Sequence, residues 1–207
     1  MRYLLYIDFK CIYKLLILYF FLVVSGTVFV TPLLGFACIL YFIRIEGALW
    51  RENIMMGLPE MYKGMPKGKM YAAEKTLLCY GIAGIATVIW GSLSVAAGGV
   101  TDETLIWEYG AEIGLAGIAL LVIGFIHVTW LKYGLGNLGV SAIMHKVGGV
   151  SILMFVCIVI MGRMDIITNI MKKIFLFGKD TCLIIWILNM LLFVFSIVYG
   201  GKRMKNY

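Results

Sequence analysis

The chain has 207 residues, 62% of them hydrophobic and 14% charged, against roughly 45–50% and about 25% in soluble domains. A soluble fold of this length cannot enclose that many apolar side chains, so lipid must solvate most of its surface. This excludes a soluble enzyme, a secreted disulfide scaffold and a disordered chain. The net charge of +7 reads as membrane topology and not as nucleic-acid binding, because Lys and Arg are retained on the cytoplasmic side.

The apolar runs are unbroken, unlike β-barrel strands, which alternate apolar and polar residues over about ten positions. The first run, Leu15 to Ile43, lies between Lys10 and Lys14 on one side and Arg44 and Arg51 on the other. About 20 helical residues cross a hydrocarbon core of roughly 30 Å, so this run predicts two spans, near 10–28 and 31–50. Ser25-Gly26-Thr27 and Thr31-Pro32 are the turn candidates, with Pro32 suited to a first helical position. The run is too long for a signal-peptide core, and no cleavable leader is expected.

Residues 51–75 mix Arg51, Glu52, Glu60, Lys63, Lys67, Lys69, Glu74 and Lys75 with Pro59, Gly64, Pro66 and Gly68, which predicts an aqueous loop with room for short helices. A third span is expected over about 76–98, then an acidic loop with Asp102, Glu103 and Glu108, then a fourth span over 110–131. A glycine-rich connection from Lys132 to Gly139 leads to a fifth span over 142–162, and a sixth runs over 181–200 before the basic tail Lys202-Arg203-Met204-Lys205. Between the last two, Met164, Ile167, Ile170, Met171, Ile174 and Phe177 recur at spacings of three and four, so 163–179 reads as an outer amphipathic or re-entrant helix. With the N-terminus, 44–75, 132–146 and the tail inside, fourteen Lys and Arg lie inside and four outside. The expected fold is therefore all-α, a polytopic membrane protein of about six transmembrane helices with both termini cytoplasmic. Trp50, Trp107, Trp130 and Tyr199 fall near the expected interfaces, as belt residues should.

No HExxH, GxSxG or paired catalytic Asp lies within a span. His127 and His145 sit near inner span ends, where water or backbone satisfies a histidine. Cys11, Cys38, Cys79, Cys157 and Cys182 lack CxxC spacing and read as small buried hydrophobes. Glu112 lies near the outer end of span four and Asn189 deep in span six; both are pathway or helix-bonding candidates. Gly81, Gly84 and Gly91 in span three, and Gly114, Gly117 and Gly124 in span four, are close-packing signals. The stretch 64–70 has the wrong spacing for a P-loop and lacks its hydroxyl.

Three stretches carry a family likeness. They are Asp8-Phe9-Lys10 entering span one, Gly57-Leu58-Pro59 with Lys67, Lys69 and Lys75 after span two, and Trp130-Leu131-Lys132-Tyr133-Gly134 after span four. In these the chain resembles the ABC-2 type permeases, especially small bacterial ones that work with a separate ATPase. Glu60-Met61 and the extra Gly, Pro and Lys residues depart from the family pattern. The likeness implies the ABC-2, type II exporter-like architecture and the permease subunit of an exporter of a peptide, bacteriocin, lipid or drug-like molecule, in a bacterial plasma membrane. It implies cytosolic ATPase subunits and a second permease subunit, identical or not, as partners in the lipid bilayer. It implies no cofactor in this chain, with ATP and Mg bound by the partner. Coupling contacts would map within 52–70 and 132–141, on Leu58, Pro59, Lys63, Lys67, Lys69, Lys132, Tyr133 and Gly134. The alternatives are a secondary transporter, which needs buried ionisable groups and repeats, and a non-catalytic immunity or scaffold protein.

Overall fold

The computed structural model describes residues 2–30, 32–62, 68–96, 111–134 and 178–206. These are helical throughout apart from short turns. Helix α1, Arg2–Ser25, runs on through a π-helical turn, Gly26–Val30. Helix α2, Pro32–Leu40, starts with proline at its first position, and α3, Phe42–Met55, follows after Tyr41. Tyr41 keeps helical angles, and the tighter bonds Tyr41 N to Cys38 O (3.1 Å) and Arg44 N to Tyr41 O (3.0 Å) bridge the join. The two pieces thus continue one another along α1. Gly57, at φ 68°, ends α3 and turns the chain into the short helix α4, Leu58–Tyr62; this left-handed angle suits glycine because it has no Cβ. Then come α5, Gly68–Ala96, and α6, Ala111–Thr129, with a π-helical turn, Trp130–Gly134, and α7, Gly178–Asn206.

Among the described residues, four helical stretches are long and apolar enough to cross a membrane: Tyr6–Phe29, Gly68–Ala96, Glu112–Tyr133 and Asp180–Met204. Over its described residues the chain is an all-helical membrane protein. The second predicted span is divided between α2 and α3, each too short to cross alone. The third begins at Gly68 and not near 76. Most of 51–75 is helix packed into the bundle, not an aqueous loop, because Asn53, Leu58, Tyr71, Glu74 and Lys75 face inward and are buried. The predicted fifth span, 142–162, the outer segment 163–179 and the acidic loop lie outside the described residues.

Contacts fix the helix directions. Tyr19 donates its hydroxyl hydrogen bond to Ile39 O (3.1 Å), so α1 and α2 are antiparallel neighbours. Thr76 meets His127 (3.0 Å), and a Cβ at Gly124 would strike Tyr80, so α5 and α6 are antiparallel. Gly117 meets Ile185, Gly124 meets Leu192, and Leu131 meets Gly200, so α6 and α7 run parallel. Gly134 therefore lies at one end of the described bundle and Gly178 at the other. The apolar core contains Ile12, Tyr19, Val23, Ile39, Ile82, Trp90 and Ile123. A second cluster of Trp50, Leu58, Tyr71, Ala72, Trp130, Leu131 and Met204 closes one end. Large apolar side chains cover the outside, among them Val88 on α5 and Leu183, Met190 and Leu191 on α7.

Candidate functional site

The end closed by Trp50 and Trp130 is the basic end. Arg51, Lys69, Lys132 and Lys202 are exposed there. At the opposite ends of α6 and α7 stand the acids Glu112 and Asp180. Helices α5 and α7 have 29 residues each, about 43 Å at 1.5 Å per residue, which exceeds a hydrocarbon core of roughly 30 Å. Exposed Lys14 on α1 and Arg44 on α3 lie further into the bundle than Asp8 and Asn53 on the same helices, and long basic side chains suit the lipid–water boundary. The polar groups described next are thus enclosed by protein toward the basic end of the bundle, not at its middle.

Lys75 is the first centre. It is 1% exposed, pairs with the Asp8 carboxylate from α1 and donates to Asn53 Oδ1 from α3 (3.2 Å). Its ammonium also lies 5.0 Å from the Tyr71 ring centroid, a cation–π contact. Asn53 Nδ2 donates to Asp8 Oδ1 (3.1 Å) and to Leu49 O (2.7 Å). Three helices are locked by these bonds. The neighbouring Glu74 is buried beside this pair.

Glu46, Cys79 and His127 form the second centre, on α3, α5 and α6. All three are buried, and one ligand atom from each lies within 4.8 Å of the others. His127 Nδ1 is 2.5 Å from Glu46 Oε1, and Trp50 Nε1 donates to the same oxygen (3.3 Å). Among the described residues, Glu46 Oε2 has no partner. The other ring nitrogen, Nε2, is 3.0 Å from Thr76 Oγ1, which donates to Ala72 O (3.0 Å). A hydroxyl has one proton, so Thr76 accepts from Nε2–H, and Nδ1 turns toward a carboxyl oxygen. A proton or another cation must lie between them.

The residues singled out from the sequence are divided between the surface and the interior. Leu58 and Pro59 are buried, with Leu58 in the aromatic cluster. Lys69, Lys132 and Tyr133 are exposed at the basic end, and the Lys132 carbonyl accepts from Arg203 Nη2 (3.3 Å). Gly134 ends the π-helical turn; Lys63, Lys67 and His145 lie outside the described residues. Asn189 and Gly117 are brought together, Asn189 Nδ2 donating to Gly117 O (2.8 Å). A Cβ at Gly117 would stand 2.8 Å from Ile185 Cγ2, a close approach as expected. Gly81, Gly84 and Gly91 have open space at the Cβ position among the described residues, so they do not mark a helix contact there. Glu112 is buried in the first turn of α6, where the helix dipole favours a carboxylate.

Three expectations are corrected. His127 is 1% exposed and paired to side chains, not solvated at an interface. Trp50 and Trp130 are interior, not belt residues, because the helices extend beyond them and enclose them. Lys75, expected in an aqueous loop, is an interior group, and Asp8 and Glu46 are buried with it. One signal for Lys75 was present: it continues the inward stripe Cys79, Ile82, Ala86 and Trp90 at helical spacing. Compared with family models, curated proteins and solved structures, the chain finds no match in any of the three.

Proposed function

We propose that the chain is the permease subunit of an ATP-driven exporter of the ABC-2 type. It would work with separate cytosolic ATPase subunits and a second permease subunit in a bacterial plasma membrane. In this reading there are six spans, α2 and α3 together form the second, and the basic end faces the cytosol, as retention of Lys and Arg requires. The carrying observation is the surface of that end. Met55, Met56, Met61 and Met70 are 62%, 45%, 59% and 51% exposed on α3, α4 and α5, with Arg51 and Lys69 exposed beside them in the chain. Apolar exposure on the lipid-facing helices needs no explanation. On a polar, basic end it suits a partner, and methionine adapts to partner surfaces.

The mechanical logic follows from the packing. Leu58 anchors α4 in one cluster with Trp50, Tyr71, Trp130 and Met204. A push on α4 is thereby delivered to the ends of α3, α5, α6 and α7. Nucleotide-driven motion biases the spans between two arrangements through such a contact. The cargo would be a peptide, bacteriocin, lipid or drug-like molecule.

A proton-coupled secondary transporter is the second reading. Buried Asp8, Glu46, Glu74, Lys75 and His127 favour it, since such transporters need enclosed ionisable groups. Purification in mild detergent separates the two. The exporter reading expects a nucleotide-hydrolysing companion to copurify, and expects Met61→Glu with Met70→Glu to release it while yield and membrane insertion stay unchanged. Cargo movement by the isolated chain without nucleotide would overturn that reading and support the second.

A further inference from the structure

We propose that Glu46, Cys79 and His127 form a zinc site joining α3, α5 and α6 at the basic end, whether or not an ATPase docks there. Each residue comes from a different helix, and the three ligand atoms already lie within 4.8 Å of one another. A nitrogen, a sulfur and a carboxylate oxygen are zinc's donor set, whereas calcium and magnesium take oxygen alone.

Two independent features point to a cation. The first is the histidine's orientation. Thr76 uses its proton on Ala72 O, so it accepts from Nε2–H, which turns Nδ1 toward Glu46 Oε1. Metal-ligating histidines are held in this way, with the second ring N–H given to a neighbouring acceptor. The second feature is Glu46 Oε2, an acceptor without a partner among the described residues, on a side chain 1% exposed. A shared proton satisfies Oε1 and Nδ1 but leaves Oε2 without a partner among the described residues. A zinc ion engages all three side chains.

Charge balance favours the exchange. Binding Zn²⁺ displaces the proton between Glu46 and His127 and the proton of the Cys79 thiol, so one divalent cation enters and two protons leave. The enclosed charge is unchanged, which matters because burying net charge is costly. Zinc bonds of about 2.0–2.3 Å set ligand atoms about 3–4 Å apart, so Glu46 must back away from His127 by about an ångström. Three protein ligands leave one position for the second carboxyl oxygen or a water.

The test uses the full-length chain in detergent, stripped with a chelator and titrated with Co²⁺ and then Zn²⁺. One Co²⁺ per chain is expected, with tetrahedral visible bands and a near-ultraviolet thiolate-to-metal band that Zn²⁺ abolishes. Titration calorimetry in two buffers of different ionisation enthalpy should read about two protons released per Zn²⁺. Replacing Cys11, Cys38, Cys157 and Cys182 with Ser should leave the thiolate band intact; Cys79→Ser should remove it. Thr76→Val should weaken affinity about 10–100-fold and keep the band, as removal of a supporting hydrogen bond does. Absence of stoichiometric binding in the variant keeping Cys79 alone overturns the proposal, even if Cys79→Ser fails to fold. A thiolate band that survives in a folded Cys79→Ser chain overturns it equally.

Discussion

The two ends of the bundle hold their helices together by different means. At the basic end the joints are ionic and aromatic: Asp8, Asn53 and Lys75 link α1, α3 and α5, and Glu46 and His127 link α3 and α6. Further along the helices the joints are small residues and backbone. Gly35 packs on Thr27 and Trp90, Gly26 approaches Gly35, and Asn189 holds the Gly117 carbonyl. The reason is the solvent. Lipid tails are as apolar as leucine, so deep in the bilayer helices gain little by burying apolar surface and need close backbone approach. Near the lipid–water boundary, a polar knot enclosed by protein adds a geometry that sliding apolar faces do not specify.

The contrast sets an order of mutational effects, readable as thermal stability in detergent. Lys75→Met should be the most damaging, since it strands the Asp8 carboxylate; breaking a buried pair costs about 3–5 kcal/mol. Asp8→Leu combined with Lys75→Met should recover most of that loss, because replacing both charges removes the stranded one. Gly35→Val should cost about 1–3 kcal/mol by overpacking, since even a Cβ there collides with Thr27 and Trp90. For Asn189→Leu the expected loss is about 1 kcal/mol, the usual worth of a hydrogen bond between membrane helices. Leu191→Ala should change nothing measurable, because its side chain is 61% exposed on the apolar surface of α7. Equal effects at Lys75 and Asn189 would erase the distinction between the two ends.

Much of the helical frame was legible in the chain. Apolar runs located the long helices, Pro32 marked a helix start, and Asn189, singled out as polar and deep in the last span, lies buried in the last helix. The polar knots were not. Hydropathy counts charges but not the direction in which they face, so Lys75 in a basic stretch looked solvated. Asp8 and Lys75 are 67 positions apart, and Glu46 and His127 are 81 apart; no local spacing records such a meeting. Extending the inward stripe of α5 backwards from Trp90 reaches Lys75, and Glu46 and Asn53 interrupt an otherwise apolar inward face of α3. Helical phase carried that information, and hydropathy discarded it.

The orientation of the basic end bears most directly on the account, because α4 meets a cytosolic ATPase only if that end faces inward. Met61→Cys, placed in the variant that keeps buried Cys79 alone, gives one exposed thiol on α4. A membrane-impermeant thiol reagent should label it in inside-out vesicles and leave it untouched in intact cells. Labelling from outside intact cells would contradict the account.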